Sequence, residues 1–202
     1  MIHARPSRLE TSVRILVPAK CEGGKTRLAP LMQPSARERL CLDFVKRTLG
    51  VALPVAPTIV IARDMKSATE ARALGADVLF EPEASLNAAL EIGRASVGAG
   101  HGILVCPIDL PHLTSETLRR LIANTDAIAV APDRHRSGTN LLWLPAAAAT
   151  DFQFMFGPAS FARHVERGRR LGFVVETPDI HEAGFDIDNP DDFAIWRECV
   201  HA

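Results

Sequence analysis

Short apolar runs rich in β-branched residues alternate with stretches whose apolar residues recur at helical spacing, and this alternation constrains the fold more than any other feature of the chain. Thr58-Ile59-Val60-Ile61-Ala62 is continuous and apolar but too short for a helix, which predicts a strand buried on both faces. Residues 14–17, 77–80, 102–106 and 127–131 read as further strands, 77–80 a short one. Between these runs, residues 34–49 place Leu40, Phe44, Val45 and Leu49 at roughly helical spacing, residues 66–74 end at Gly75, and residues 86–95 end before Gly98 and Gly100. A further helix starts at Thr114, with Glu116 in its first turn to complement the helix dipole. Strands and helices in such alternation predict a doubly wound α/β fold, a mixed, mostly parallel sheet flanked by helices and joined by right-handed crossovers.

Beyond residue 131 the pattern changes. Residues 138–144 read as a strand, 152–157 as an aromatic turn, 160–171 as a helix and 173–176 as a strand, followed by an acidic stretch at 185–190 and a short terminal helix through Trp196. With no internal repeat and no linker, this half is expected to extend the same sheet, so that residues 13–202 form a single domain behind a polar leader at 1–12. A formal net charge of −1 supplies no basic field for nucleic acid. Cys21, Cys41, Cys106 and Cys199 form no Cys-x-x-Cys pair and no zinc-finger spacing with histidine, which argues against a disulfide framework or structural zinc and for a reducing compartment. The leader carries Arg5, Arg8 and Glu10 without an apolar h-region, and no run approaches the length of a membrane span. A soluble, cytoplasmic protein without membrane contact is the expectation.

Chemistry enters at the end of the first strand. Val13-Arg14-Ile15-Leu16-Val17 breaks into Pro18-Ala19-Lys20-Cys21-Glu22-Gly23-Gly24-Lys25-Thr26-Arg27-Leu28, where Lys20, Lys25 and Arg27 fall within eight residues around two glycines. Backbone amides and cations gathered so closely suit a polyphosphate. Gly24-Lys25-Thr26 matches the end of the P-loop pattern Gly-x-x-x-x-Gly-Lys-Ser/Thr, but Ala19 stands where the first glycine belongs, and Pro30 and Pro34 interrupt the helix that should begin at Lys25. The loop therefore reads as a phosphate site of another kind, with a solvated surface turn as the simpler alternative.

Pro107-Ile108-Asp109-Leu110-Pro111 puts an aspartate at the carboxyl end of a buried strand, where ligands of open α/β sheets collect. Asp186 and Asp188, two apart, project from one face of an extended segment and repel each other unless a cation lies between them. A divalent metal shared with Asp109 relieves that repulsion through oxygen ligands of the kind Mg²⁺ takes. Helix capping accounts for Asp191 and Asp192 but leaves Asp186 unexplained. Ser137-Gly138-Thr139-Asn140 and Gly157-Pro158-Ala159-Ser160 offer small hydroxyls and amides to a phosphorylated or carboxylated acceptor, although each is also ordinary turn sequence. His164, one helical turn after Ser160, reads as a satisfied or exposed histidine rather than a general base. Cys21 has cations near it but no partner base, and reads as incidental. Trp143, Phe152, Phe154 and Phe156 are expected to build core or pocket wall.

Taken in order, Pro18-Ala19-Lys20 with Lys25-Thr26-Arg27-Leu28, Asp109-Leu110-Pro111, Gly138-Thr139-Asn140, Phe156-Gly157-x-x-Ser160-Phe161-x-x-His164 and Asp186-Ile187-Asp188-x-Pro190-x-Asp192 resemble the guanylyltransferases of coenzyme F420 biosynthesis over nearly the whole chain. The resemblance implies a single Rossmann-like, GT-A-like nucleotidyltransferase domain. It implies a reaction between GTP and 2-phospho-L-lactate, phosphoenolpyruvate or 3-phospho-D-glycerate, the acid being left open. Lys20, Lys25 and Arg27 would bind the GTP phosphates, with Lys20, Lys25 and Asp109 carrying catalysis. Asp109, Asp186 and Asp188 would hold Mg²⁺, and Thr139, Gly157 and Ser160 would engage the acid. Cys21-Glu22-Gly23-Gly24 departs from the family's small, alanine-rich spacer and adds a negative charge. The implied partners are GTP, the acid and the downstream F420 transferase that accepts the product; a homodimer is the default symmetric assembly. Two other readings stay open. A molybdenum-cofactor-type nucleotidyltransferase should carry a Leu-Ala-Gly-Gly opening that is absent, and a catalytically silent nucleotide-binding module should not need all three aspartates.

Overall fold

A computed structural model of the chain describes residues 12–201. The predicted leader lies outside the described residues up to Ser12, which already belongs to the first strand. Every predicted strand is present: β1 (Ser12–Ala19), β2 (Thr58–Ala62), β3 (Asp77–Phe80), β4 (His101–Val105), β5 (Ala127–Pro132), β6 (Thr139–Leu144) and β7 (Val174–Glu176). The helices are α1 (Pro34–Ala52), α2 (Met65–Ala73), α3 (Leu86–Val97), α4 (Ser115–Ile122), α5 (Ala146–Ala149), α6 (Ser160–Arg170), α7 (His181–Gly184) and α8 (Pro190–His201). Helix α1 outruns its expected end at Leu49 because Ala52 continues the buried stripe of Phe44, Val45, Thr48 and Leu49. The short α5 and α7, and a 3-10 turn at Thr26–Leu28, were not expected; none has a side-chain cap to announce it.

Hydrogen bonding orders the strands β3-β2-β1-β4-β6-β5-β7, and β6 alone runs against its neighbours. The chain winds outward from β1 through β2 to β3, then returns to place β4 on the other side of β1. This reversal opens a crevice beyond the carboxyl ends of β1 and β4, the place where sheets of this kind bind ligands. Since β6 runs backwards beside β4, with Val105 opposite Leu142, its first residues Thr139 and Asn140 arrive at that same end. The second half of the chain thus joins the first sheet.

Alternation along β1 divides the core in two. Ile15, Val17 and Ala19 pack with α1, α2 and α4, while Leu16 packs on the other face with α3, α5, α6 and the rings of Phe152 and Phe154. Trp143 of β6 is fully buried and donates from Nε1 to the Asn124 carbonyl at 2.8 Å, which satisfies its one polar atom. Its six-membered ring lies over Gly102 of β4, where any Cβ would overlap it. Cys21, Cys41 and Cys106 are buried and free. No helix among the described residues is long and apolar enough to cross a membrane.

Candidate active site

One buried carboxylate holds down the loop that leaves β1. Cys21 and Glu22 donate their backbone N–H groups to Asp64 Oδ2 at 2.6 and 3.2 Å, while Asp64 Oδ1 caps α2 by accepting from the Ser67 amide at 2.8 Å. A single side chain therefore ties the loop to the end of β2. Gly23 takes a φ of +62°, and Gly24 lies so near the Lys20 carbonyl that a Cβ would stand 2.5 Å from its oxygen, so the bend favours glycine at both positions. Lys25 is itself left-handed, with φ +47°, and α1 begins only at Pro34. P-loop geometry, with a helix starting at the lysine, is thus absent. Glu22 turns outward to Lys66 at 3.7 Å, so the unexpected negative charge stays clear of the crevice.

Lys25 reaches across to the aspartates. Its ammonium donates to Asp109 Oδ2 at 2.5 Å and to Asp188 Oδ1 at 2.9 Å, and Arg27 adds a contact to Asp188 Oδ2 at 3.4 Å. Burial alone would lower the basicity of Lys25, but the two carboxylates outweigh it and raise its pKa above the usual lysine value. Among the described residues Asp186 has no such cation. Its side chain meets Asn140 Nδ2 at 3.5 Å, and burial, followed by the charges of Asp109 and Asp188, pushes its carboxyl up to about 6. Asp188 is positioned by Asp192, which accepts from the backbone N–H groups of Asp188 and Asn189 at 2.8 and 3.0 Å and pairs with Arg134. Asn189 in turn accepts from the Asp191 and Asp192 amides, completing a capping arrangement at the start of α8.

The three aspartates therefore line one cavity, but among the described residues no group of three ligating side chains is assembled to hold a metal. The Lys25 ammonium instead bridges Asp109 and Asp188. The donor set nonetheless fits a hard cation: all its ligand atoms are carboxylate oxygens, and burial together with the charges of Asp109 and Asp188 drives Asp186 toward protonation.

The opposite wall comes from the β5–β6 hairpin and the start of α6. Asp133 closes the hairpin by accepting from the backbone N–H groups of Ser137 and Gly138 at 2.9 and 2.8 Å. Gly157, at φ +116°, and Ala159, at φ +55°, bend the chain into α6, whose first turn has no side-chain cap. Asn87 of α3 exchanges hydrogen bonds with the Phe156 backbone, accepting from its amide at 2.8 Å and donating to its carbonyl at 3.1 Å. The Thr139 amide donates to Ser160 Oγ at 2.9 Å, and Thr139 Oγ1 lies 2.9 Å from His164 Nδ1. His164 is completely buried, and its Nε2 accepts from the Met155 amide at 2.9 Å.

These walls enclose a cavity of about 420 Å³ that brings together Arg27, Asp109, Thr139, Gly157, Ser160, Asp186 and Asp188, over an apolar floor of Leu86, Leu90 and Val105. That volume lies within the range of small-molecule sites. Lys25 meets the site through its ammonium. Lys20 does not: it is exposed beyond the end of β1 and stands outside the cavity wall. Asp64 and Asn87 are supporting residues that sequence reading missed, whereas Asn140 stood in a motif read for the acceptor and Asp192 was read as a helix cap, which it is. Asp64-x-x-Ser67 carried a readable helix-cap signal, but nothing local marked the partners of its second oxygen, 43 residues away.

A family model described as guanylyl transferase CofC like matches residues 13–196. The chain is similar to the phosphoenolpyruvate guanylyltransferase of Rubrobacter xylanophilus, at 34% identity over 192 residues that cover 91% of this chain and 92% of that protein. It is also similar to the phosphoenolpyruvate guanylyltransferase of Mycobacterium sp. (strain KMS), at 36% identity over 202 residues covering 96% and 89%. Among solved structures, a nucleotidyl transferase from Methanothermobacter thermautotroptrophicus superimposes with TM-score 0.69 at 15% identity, covering 93% of this chain and 97% of that one. The 2-C-methyl-D-erythritol 4-phosphate cytidylyltransferase of Thermus thermophilus does so with TM-score 0.62 at 17% identity, covering 95% and 100%. At such identities the solved structures establish the fold alone, that of a single α/β domain.

Proposed function

Since the chain belongs to the CofC-like guanylyl transferase family and is a nucleotidyltransferase, we propose that it transfers GMP from GTP to a phosphorylated three-carbon acid, releasing pyrophosphate, in the assembly of coenzyme F420. The molybdenum-cofactor-type reading gives way to this family. Phosphoenolpyruvate is placed first among the acids because both relatives described above are phosphoenolpyruvate guanylyltransferases matched over most of their length. The observation that carries the reading is the meeting, in one cavity, of a cation-bridged aspartate cluster with an uncapped helix start flanked by hydroxyls.

An oxygen of the acid's phosphate attacks the α-phosphorus of GTP. The bond from that phosphorus to the oxygen bridging the β-phosphate breaks, and pyrophosphate leaves with the electron pair. The attacking phosphate is already anionic near neutral pH, so no strong general base is needed; the barrier lies in bringing anions together. Lys25 and Arg27 neutralise and orient the triphosphate, and Lys20, which stands outside the cavity wall, would reach it only from the exposed end of the loop. On this reading Lys25 exchanges its aspartate partners for phosphate oxygens when GTP enters. Asp109, Asp186 and Asp188 would hold Mg²⁺, which when bound neutralises phosphate oxygens and the charge developing on them. Thr139, Ser160 and the Gly157 turn at the positive end of α6 bind the acid.

The test is incubation of the full chain with GTP, Mg²⁺ and each of the three acids, with pyrophosphate release and product mass measured. Release with phosphoenolpyruvate and a product of matching mass is expected. Tight GTP binding without release for any acid would leave only a silent nucleotide-binding module, and product from another acid alone would change the acceptor.

A further inference from the structure

The hydrogen bonds of His164 have a direction that the proposed reaction does not use. The Met155 backbone N–H can only donate, so the Nε2 it meets at 2.9 Å must present a lone pair. A neutral imidazole then carries its single proton on Nδ1, which donates to Thr139 Oγ1 at 2.9 Å. A doubly protonated ring would set two N–H groups against each other at Met155. Burial, with Arg163 adding to it, also lowers the His164 pKa to about 4, which keeps the ring neutral at ordinary pH. Thr139 Oγ1, once it accepts from His164, has its own proton to give. Ser160 Oγ is in the same position, because it accepts from the Thr139 amide at 2.9 Å. Among the described residues neither hydroxyl proton has a protein acceptor, and both residues line the cavity.

We propose that His164 is a positioning residue for the acceptor acid: fixed as the Nδ1–H tautomer, it turns the Thr139 hydroxyl proton into the cavity, where Thr139 and Ser160 donate together to a carboxylate or phosphate oxygen. The chain of donors runs one way, from the Met155 amide through His164 and Thr139 to the ligand, and each link polarises the next. Its end selects an oxygen with free lone pairs over an ammonium, which explains why a fully buried imidazole sits behind a site for an anion. The same links hold the Met155 backbone, Thr139 at the start of β6 and Ser160 at the start of α6 in one arrangement. This inference rests on the guanylyl-transfer reading for the identity of the ligand but not for the tautomer.

Two measurements test it. Long-range proton–nitrogen NMR of the full-length wild-type protein at neutral pH, without substrates, should find His164 protonated at Nδ1 and bare at Nε2, its signals identified by their loss in His164→Gln. An Nε2–H tautomer or a doubly protonated ring overturns the proposal. Steady-state kinetics should then give Thr139→Val a KM for phosphoenolpyruvate raised on the order of tenfold to a hundredfold, the worth of a hydrogen bond to a charged group. Its KM for GTP should stay within about twofold of wild type, since the lost donor faces the acid. His164→Gln should do the same, and the double variant should be no worse than the more impaired single, because both act through one hydroxyl. Additive losses, or equal rises in both KM values, overturn the proposal. Should His164→Gln fail to fold, the near-isosteric Thr139→Val still decides the kinetic arm. Failure of the wild type to guanylylate any acid would refute the reaction and leave the tautomer result standing.

Discussion

Asp64 divides its two oxygens between a helix cap and a loop, so its replacement should have two separable effects. Asp64→Ala strands the amides of Ser67, Cys21 and Glu22, and chemical denaturation should report a loss of about 2 kcal/mol. The KM for GTP should rise several-fold as the loop bearing Lys20 and Lys25 loosens. Asp64→Asn sharpens the test: its amide oxygen can still cap α2, but its NH₂ would face the loop amides donor to donor. It should therefore recover part of the stability while keeping the raised KM, and an unchanged KM in both variants would show that the loop holds itself. At Asp109 and Asp188 the expectation concerns turnover. Alanine at either should cut kcat by roughly two orders of magnitude or more, as loss of a key electrostatic group does. Near wild-type rates in both would remove the metal role. The residue types at these sites were legible in sequence, but their pairing was not. Lys25 meets aspartates 84 and 163 positions away, and no local pattern states which cation faces which anion.

Strands β2 and β3 were legible to the residue: β2 because a continuous apolar run buried on both faces has one reading in such a sheet, and β3, a half-buried strand at the sheet edge, because its short run follows the helix stop at Gly75. Elements without such a signal were not: α5 is four alanines and α7 a single turn, and neither has a capping side chain. Gly102 shows how a strand position can be read in advance, since glycine inside a strand marks close approach. Here the neighbour is the Trp143 ring, fully buried and hence unable to move aside. Gly102→Ala should lower unfolding free energy by about 1–3 kcal/mol, the usual cost of overpacking. The atoms in the way belong to the six-membered part of the indole. Trp143→Phe withdraws them, so the double variant should lose less than the sum of the singles. Strict additivity between these touching residues would show that the strain lies elsewhere.

At the scale of the whole molecule, the site exists because the strand order reverses at β1 and β4 and because β6 runs backwards into the same end. Alternating strands and helices predicted the class of sheet. The insertion of β6 between β4 and β5 was not predictable from them, since spatial order is set by packing among elements distant in sequence. His164 lies where β6, α6 and the Met155 segment meet, so its protonation is coupled to folding of this whole side of the molecule. Burial first, and Arg163 second, depress its pKa from 6.5 to about 4. Between those values the unfolded chain binds the proton that the folded protein refuses, so the imidazole's contribution is complete above pH 6.5 and is lost as pH falls toward 4. Its full size is about 3 kcal/mol. Asp186 opposes this trend, since its carboxyl is raised to about 6 and takes up a proton on the folded protein over part of the same range. The total pH dependence therefore mixes the two, and the informative quantity is the difference between wild type and His164→Gln, which lacks only the titrating ring. Denaturation at a series of pH values should find wild type losing about 2–3 kcal/mol more than the variant between about pH 7 and pH 4.5. Parallel curves would mean that the ring takes up its proton without disturbing Met155 or Thr139.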